Sequence, residues 1–177
     1  MILRSESKWE KIFAIFLIAV GIFLRLAPHP DNFTPVTAIA LFSGVVLAPE
    51  IALVVPLVIM IASDLLIGPH MLYPLTWGSF FLVSLLGLAI RKNVKVNQIF
   101  LGTLGGSLLF YLVTNLGVFL YQDMYEKSLS GLFQCYLMAL PFFRNSLLGD
   151  LFFSGVFFGI FAIVKNYSRK LVSQKIG

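Results

Sequence analysis

Four charged side chains stand within otherwise apolar runs of this sequence. Arg25 and Asp64 lie toward the ends of two runs, and Arg144 and Asp150 lie in the first turns of another. A guanidinium group forms paired hydrogen bonds with carboxylate or phosphate groups, and a carboxylate can orient such an arginine or accept hydrogen bonds from a solute. These residues therefore predict either ion pairs that hold helices together, such as Arg25 with Asp64, or a polar binding site. Arg144 and Asp150 lie six residues apart on one helix, about 120° from facing each other, so each is expected to find a partner on another helix rather than to pair with the other.

The stretch RLAPHPDNFTPVT, from Arg25 to Thr37, joins two of these runs and contains three prolines. A proline disfavours helix in the residue before it, so Pro28 and Pro30 predict a stiff, extended connector. Pro35 follows Thr34 and is suited to the first position of the next helix. We expect the connector to cover the mouth of a binding site.

The composition excludes an ordinary soluble domain. Apolar residues make up 59% of the 177 residues and charged residues 12%, against roughly 25% charged in a typical globular protein. The mean hydropathy is +0.94, which predicts an integral membrane protein. The net charge of +5 does not indicate nucleic acid as a partner, because the basic residues lie at the ends of apolar runs, facing lipid headgroups.

Six apolar runs are long enough to be predicted as membrane spans, since about 20 residues cross the hydrocarbon core and fewer suffice where it is thin. We predict an all-α, single transmembrane domain over residues 1–177, a bundle of six transmembrane helices at about 11–26, 34–47, 50–67, 73–90, 98–121 and 141–164. A short helix at 132–140 is expected on the surface. The first run resembles a signal peptide, but no small-residue cleavage site follows it, so we expect it to be retained.

The basic residues predict the orientation. With six spans, ten of the 13 Lys and Arg residues fall on one side: Arg4, Lys8, Lys11, Arg91, Lys92, Lys95, Lys165, Arg169, Lys170 and Lys175. The other three are Arg25, Lys127 and Arg144. The positive-inside rule then predicts a multi-pass protein of the cell (inner) membrane with both termini in the cytoplasm.

This orientation places most of the unusual polar groups on the outer side. An ionisable side chain in the bilayer costs roughly 2.5–3.5 kcal/mol and is a functional-site hypothesis by default. The predicted substrate-binding residues are Arg25, His29, Asn32, Phe33, Asp64, Trp77, Asn115, Arg144, Asn145 and Asp150. The arginines would bind carboxylate or phosphate groups, the asparagines would add neutral hydrogen bonds, and Phe33 and Trp77 would stack on the solute or close the pocket.

Other chemistries find less support. His29 and His70 with Asp64 could bind a metal ion, but their spacing matches no metal-site signature, so we expect neither a metal nor a cofactor. Cys135 is the only cysteine, which excludes an internal disulfide. The chain contains no motif of a nucleophile elbow, P-loop or zinc protease, and we do not expect an enzyme. Two alternatives stay open: a membrane scaffold held by ion pairs, and a membrane enzyme acting on a lipid-linked substrate beside His29 or His70.

Small residues recur four positions apart in three runs, a spacing that allows close packing of membrane helices. The pairs are Ala40 with Gly44, Gly102 with Gly106, and Gly155 with Gly159. We expect each pair to pack against another helix of the chain.

Three stretches carry a resemblance to known proteins: RLAPHPDNFTPVTAIALFSG, the Ser63-Asp64 pair, and PFFRNSLLGDLFF at 141–153. They resemble a family of uncharacterised bacterial six-span membrane proteins, which is in turn similar to the S components, the substrate-binding subunits of energy-coupling-factor vitamin transporters. The resemblance covers most of the chain and implies an S-component-like bundle. It also implies an outward-facing pocket capped by the loops between spans one and two, three and four, and five and six.

For this chain, the resemblance implies a membrane transport protein that binds a small polar or anionic, vitamin-like solute for uptake. The matching positions are Arg25, His29, Asn32, Asp64, Arg144, Asn145 and Asp150. It also implies a transmembrane coupling subunit with ATPases as partner, docked through small residues of the first span. Here the first span departs from that pattern, because Ala14 and Ala19 are five positions apart rather than four, so a protein that acts alone is the alternative.

Overall fold

The chain folds into helices joined by short connections. The computed structural model describes residues 8–68, 71–92 and 94–176, with side chains described as far as residue 168. The helices are α1 (Lys8–Leu26), α2 (Val36–Val46), α3 (Pro49–Ile67), α4 (Tyr73–Ile90), α5 (Val96–Tyr121), α6 (Leu129–Met138) and α7 (Leu140–Ile176). The described residues form no strand, and the all-α prediction is confirmed.

Four helices are long and apolar enough to cross a membrane: Pro49–Ile67, Tyr73–Ile90, Val96–Tyr121 and Leu140–Ser168. The 19 residues of α1 include Lys8, Glu10, Lys11 and Arg25, which lowers its apolar character. The 11 residues of α2 span only about 16 Å at 1.5 Å per residue. The structure therefore supports a membrane-embedded helical protein with four candidate spans, and the bundle of six spans stays a prediction.

Helix bounds depart most from the apolar runs at the C-terminal end of the chain. The last run was expected to end at about 164, yet α7 continues to Ile176. Residues 165–176 contain neither proline nor glycine, so nothing in them stops a helix once it has started. The predicted surface helix is displaced toward the N-terminus, because Ser128 caps α6 by accepting a hydrogen bond from the Gly131 amide at 3.2 Å.

Helix α2 forms the centre of the bundle. All 11 of its residues are buried, and α3, α4, α5 and α7 pack around it. Phe42 lies at the heart of an aromatic cluster, with its ring centroid 5.0–6.1 Å from those of Phe13, Phe157, Phe158 and Phe161. Since α2 is enclosed on every side, its position fixes where the connector before it, residues 27–35, meets the end of the bundle.

Glycines allow the closest helix approach, between α2 and α4. A Cβ on Gly44 would lie 2.8 Å from the Cα of Gly87 and 2.9 Å from the amide nitrogen of Leu88, so the two backbones are in direct contact. The small-residue prediction thus holds for Gly44. It fails for Gly155 and Gly159, since a Cβ on either would meet no described atom within 4 Å.

Two ionic groups fasten the α2–α3 connection, at the opposite end of the bundle from residues 27–35. The Ala48 amide, at the start of α3, donates a hydrogen bond to Glu10 Oε1, and Glu10 is only 2% exposed. Arg91 Nη2 donates to the Leu47 carbonyl oxygen at 3.1 Å. A carboxylate is favourable at a helix N-terminus, so Glu10 both caps α3 and holds α1 against it.

Candidate functional site

Arg25 and Asp64 form an ion pair between α1 and α3. Arg25 Nη1 lies 2.6 Å from Asp64 Oδ1, and the two side chains are 15% and 2% exposed. Arg25 also donates a hydrogen bond to Ser63 Oγ, while the Ser63 hydroxyl donates to the Ile59 carbonyl oxygen at 2.6 Å. The buried Asp64 carboxylate and the half-buried Arg25 guanidinium neutralise each other. This contact is the ion pair between helices that the sequence predicts for Arg25 as the alternative to a role in binding.

Trp77 completes this cluster from α4. Its indole Nε1–H donates to Asp64 Oδ2 at 2.8 Å, and its ring stacks on Tyr73 with 5.3 Å between centroids. Three helices therefore meet at one carboxylate. The predicted role of Trp77 in closing a pocket finds no support in this contact, because the indole is bonded to Asp64.

Asp150 lies in a separate polar cluster between α2, α5 and α7. It is 2% exposed and ten residues into α7, or about 15 Å along the helix. The Ser107 hydroxyl donates to Asp150 Oδ2 at 2.7 Å, and the Thr37 side chain lies beside the same carboxyl group. One turn deeper, Thr103 donates to Ser154 Oγ at 3.0 Å. Asp150 thus joins three helices through hydroxyl groups rather than through an arginine.

The hydrogen bonds of Asp150 give a testable prediction. Asp150→Asn keeps an oxygen that accepts from Ser107, and we expect it to unfold within about 1 kcal/mol of the wild type. Asp150→Val removes the acceptor from a buried site and should cost about 1–3 kcal/mol. Denaturation in detergent micelles measures both. Equal losses for the two variants would contradict the hydrogen-bonded role, and a change in bound solute with Asp150→Asn alone would assign the carboxylate to a binding site.

Arg144 and Asn145 lie elsewhere, in the first turns of α7. Arg144 is exposed and Asn145 is half-buried. Neither side chain makes a hydrogen bond or ion pair within the part of the chain that the structure describes. Arg144 and Asp150 do not pair with each other, in agreement with their spacing of six residues, which puts them on different faces of the helix.

The α1–α2 connector is compact and packs against α7. The Phe33 amide donates to the Pro30 carbonyl oxygen at 3.0 Å, and Asn32 has φ +61°, a left-handed conformation that asparagine tolerates. Phe33 packs on Gly149, where a Cβ would lie 3.3 Å from the Phe33 Cα, and on the ring of Phe153 at 5.7 Å. Phe33 therefore anchors the connector, and the turn leaves Asn32 exposed.

His29 lies on this connector and is exposed. Its ring nitrogens face the backbone carbonyl oxygens of Pro30 at 2.8 Å and Arg25 at 3.0 Å. These contacts hold the ring against its own chain. His70, considered with it as a metal ligand or acid–base group, lies outside the described residues. Within residues 8–68, 71–92 and 94–168, no group of three or more His, Cys, Asp or Glu side chains is placed to hold a metal ion.

A cavity of about 330 Å³ opens at the end of the bundle that carries Asn32. Helices α4, α5, α6 and α7, the loop after α5, and one residue each from the α1–α2 and α3–α4 connections form its wall. The described lining residues are Asn32, Leu72, Thr76, Phe110, Thr114, Asn115, Val118, Gln122, Met124, Tyr125, Cys135, Met138, Ala139 and Phe142. Its volume is at the lower end of those that hold small molecules.

The predicted site residues thus separate into distinct places. Asn32 and Asn115 line the cavity, whereas Arg25, Asp64 and Trp77 form the ion-pair cluster. Sequence reasoning missed Thr76, Thr114, Gln122, Tyr125 and Cys135 as lining residues. The only sequence signal for them is the polar pair Thr114-Asn115 within an apolar span, since the cavity is assembled from residues far apart in the chain.

Comparison with known proteins places the chain in a family. The family of unknown function DUF6580 matches residues 5–172, almost all of the 177 residues. Comparison with curated proteins and with solved structures finds no match. The chain therefore belongs to the family of unknown function DUF6580.

Proposed function

We propose that this protein is a membrane transport protein that binds a small polar solute in the cavity beside Asn32 and Asn115 and helps its uptake. The cavity carries the proposal, because it combines a volume of about 330 Å³ with amide, hydroxyl and aromatic side chains at one end of a membrane-embedded bundle. A concave, mostly apolar site with a few polar groups is the usual form of a small-molecule site. Membrane proteins that serve only as scaffolds have no need of one.

The connections around the cavity support an S-component-like arrangement. Asn32 comes from the α1–α2 connector, Leu72 from the α3–α4 connection, and Met124 and Tyr125 from the loop after α5. These are the three loops expected to cap an outward-facing pocket. With both termini in the cytoplasm of an inner-membrane protein, the cavity opens to the outside. A transmembrane coupling subunit with ATPases is the partner that this arrangement implies.

Polar rather than anionic solutes fit the cavity. Arg25 is already paired with Asp64 at 2.6 Å, and neither Arg25 nor Arg144 is part of the described lining. The two arginines predicted to bind carboxylate or phosphate groups therefore contribute nothing to this wall. Binding here rests on hydrogen bonds and on contact with apolar and aromatic surface.

A cavity-filling variant tests the proposal. Thr76 lines the cavity from α4 and is half-buried, so Thr76→Trp should fill it with an indole ring. We expect native mass spectrometry of the protein purified from its host membrane to detect a small molecule on the wild type, and a loss of at least about tenfold in Thr76→Trp. Gly155→Ala, on a face of α7 with open space around it, is the control and should keep the molecule.

Equal occupancy in the wild type and Thr76→Trp would show that the cavity is not the binding site. The absence of any bound molecule from all three proteins, purified under conditions that keep them folded, would favour the scaffold. The Arg25–Asp64–Trp77 cluster is the observation that favours a scaffold, since it ties three helices together without any solute.

A further inference from the structure

The side chains in the wall of the cavity share a pattern in their hydrogen bonds. Two hydroxyl groups there use their hydrogen on their own helix. Thr114 Oγ1 donates to the Phe110 carbonyl oxygen at 2.7 Å, and Thr76 Oγ1 lies 3.1 Å from the Tyr73 carbonyl oxygen. A hydroxyl has one hydrogen and two lone pairs, so both groups offer the cavity only acceptors.

Asn115 and Cys135 also bond backbone carbonyl oxygens. The Asn115 Nδ2 amide donates one of its two N–H groups to the Tyr111 carbonyl oxygen at 2.8 Å, which leaves one N–H and the side-chain oxygen for the cavity. Cys135 Sγ donates to the Asn115 backbone oxygen at 3.4 Å. Burial raises the pKa of the Cys135 thiol, so the thiol keeps its hydrogen for this bond.

The wall of the cavity is also uncharged as far as the structure describes it, since none of the described lining residues carries a charge. The nearest cation of the α5–α6 loop, Lys127, is held by the carbonyl oxygens of Phe119 and of Gln122, the latter at 2.9 Å. An anion entering this cavity would give up its hydration without gaining a counter-charge, which is costly.

The other donor groups of the wall belong to Asn32, Gln122 and Tyr125, which come from the connector and from the segment after α5. The rings of Phe110 and Phe142 also line the cavity and suit a flat ring. The helical part of the wall is therefore apolar and uncharged, with hydroxyl and amide oxygens that can accept hydrogen bonds.

We infer that the solute is an uncharged ring compound that presents N–H or O–H donors, and that this cavity rejects its carboxylate analogue. This inference rests on the proposed function and adds the chemical class of the solute. Thr76, Thr114 and Asn115 would accept the donors of the solute, and Phe110 and Phe142 would contact its ring. A site whose acceptors are left unpaired by the wrong ligand discriminates more strongly than apolar contact alone.

Benzamide and benzoate are a matched pair for the test, because they have nearly the same shape. Benzamide is uncharged and its amide donates hydrogen bonds, whereas the carboxylate of benzoate is charged and only accepts them. Ligand-observed saturation-transfer NMR with the full chain in nanodiscs gives a dissociation constant for each. Thr76→Trp corrects for partition into lipid, since only cavity binding is lost in it. We expect the cavity-specific affinity for benzamide to exceed that for benzoate by at least about tenfold.

Asn115→Leu is the second variant, because leucine has nearly the shape of asparagine and lacks the acceptor oxygen. We expect it to weaken benzamide binding about three- to tenfold and to leave benzoate unchanged. Benzoate binding as tightly as benzamide in the cavity would overturn the inference, while the cavity would still stand as a solute site. Identical signals in the wild type and Thr76→Trp for both probes would also overturn it. Native mass spectrometry of the wild type and Thr76→Trp purified from the host membrane would then test the proposed function separately.

Discussion

Replacing Asp64 by alanine is expected to lower the free energy of unfolding by about 3–5 kcal/mol, the cost of breaking a buried ion pair by removing one partner. Asp64 is 1% exposed, and its carboxylate receives Arg25 on one oxygen and the Trp77 indole on the other. The substitution leaves the half-buried Arg25 guanidinium with the Ser63 hydroxyl as its remaining side-chain partner among the described residues. Both the lost contacts and the stranded charge contribute to the expected effect.

The double variant Arg25→Met/Asp64→Leu is the critical comparison. Removing both charges avoids a buried unpaired ion, and such replacements are often neutral or stabilising, so the double variant should be more stable than Asp64→Ala alone. Trp77→Phe removes the indole N–H together with part of the ring, and the lost hydrogen bond alone should cost about 1 kcal/mol. Denaturant titration in micelles, followed by circular dichroism, measures all three.

A matched surface pair supplies the control. Asp123 lies 3.9 Å from Lys127, and its side chain is fully exposed. An exposed pair contributes little to stability, so Asp123→Ala should be indistinguishable from the wild type. If Asp64→Ala were equally mild, the Arg25–Asp64 pair would not be buried as described, and Arg25 would again be available for a solute.

Charged residues inside apolar runs are the sequence feature that best predicts contacts between the helices. Arg25 and Asp64 stand out in the sequence because a charge in the bilayer needs a partner, and the structure brings the two together. What the sequence leaves open is which of two arginines meets which of two aspartates. Arg144 is exposed, whereas Asp150 is buried against Ser107. The rotation of each helix about its axis decides which residues of different helices face each other, and sequence spacing predicts relative directions only for residues of the same helix.

The central position of α2 and the cavity were beyond sequence reasoning. A helix that is apolar on every side, such as VTAIALFSGVV, has no polar face to say which way it points. In the sequence, a threonine or serine of a membrane span gives no indication of whether its hydroxyl group faces a cavity or forms a hydrogen bond with its own helix. At Thr76 and Thr114 both hold at once, because the hydrogen is used by the helix and the lone pairs face the cavity.

The second large effect is expected at the α2–α4 crossing, where Gly44→Ala should destabilise the protein by about 3 kcal/mol, the upper part of the range for overpacking. The added methyl group would lie 2.8 Å from the Gly87 Cα. The clash is with backbone, which cannot rotate away as a side chain can, so α2 and α4 must separate. Gly87→Ala should act similarly, because its Cβ would lie 2.9 Å from the Gly44 Cα.

Gly155→Ala and Gly159→Ala isolate this packing effect from helix propensity. All four substitutions replace glycine by alanine within a helix, a change that favours the helix by about 0.5–1 kcal/mol, but a Cβ at Gly155 or Gly159 meets nothing within 4 Å among the described residues. We therefore expect these two variants to be neutral or slightly stabilised in the same denaturant titration. Because α2 continues directly from the connector that carries Asn32, a Gly44→Ala protein that remains folded should also bind less solute. Unchanged stability at Gly44 together with a loss at Gly155 would mean that the close crossing lies on α7 and not between α2 and α4.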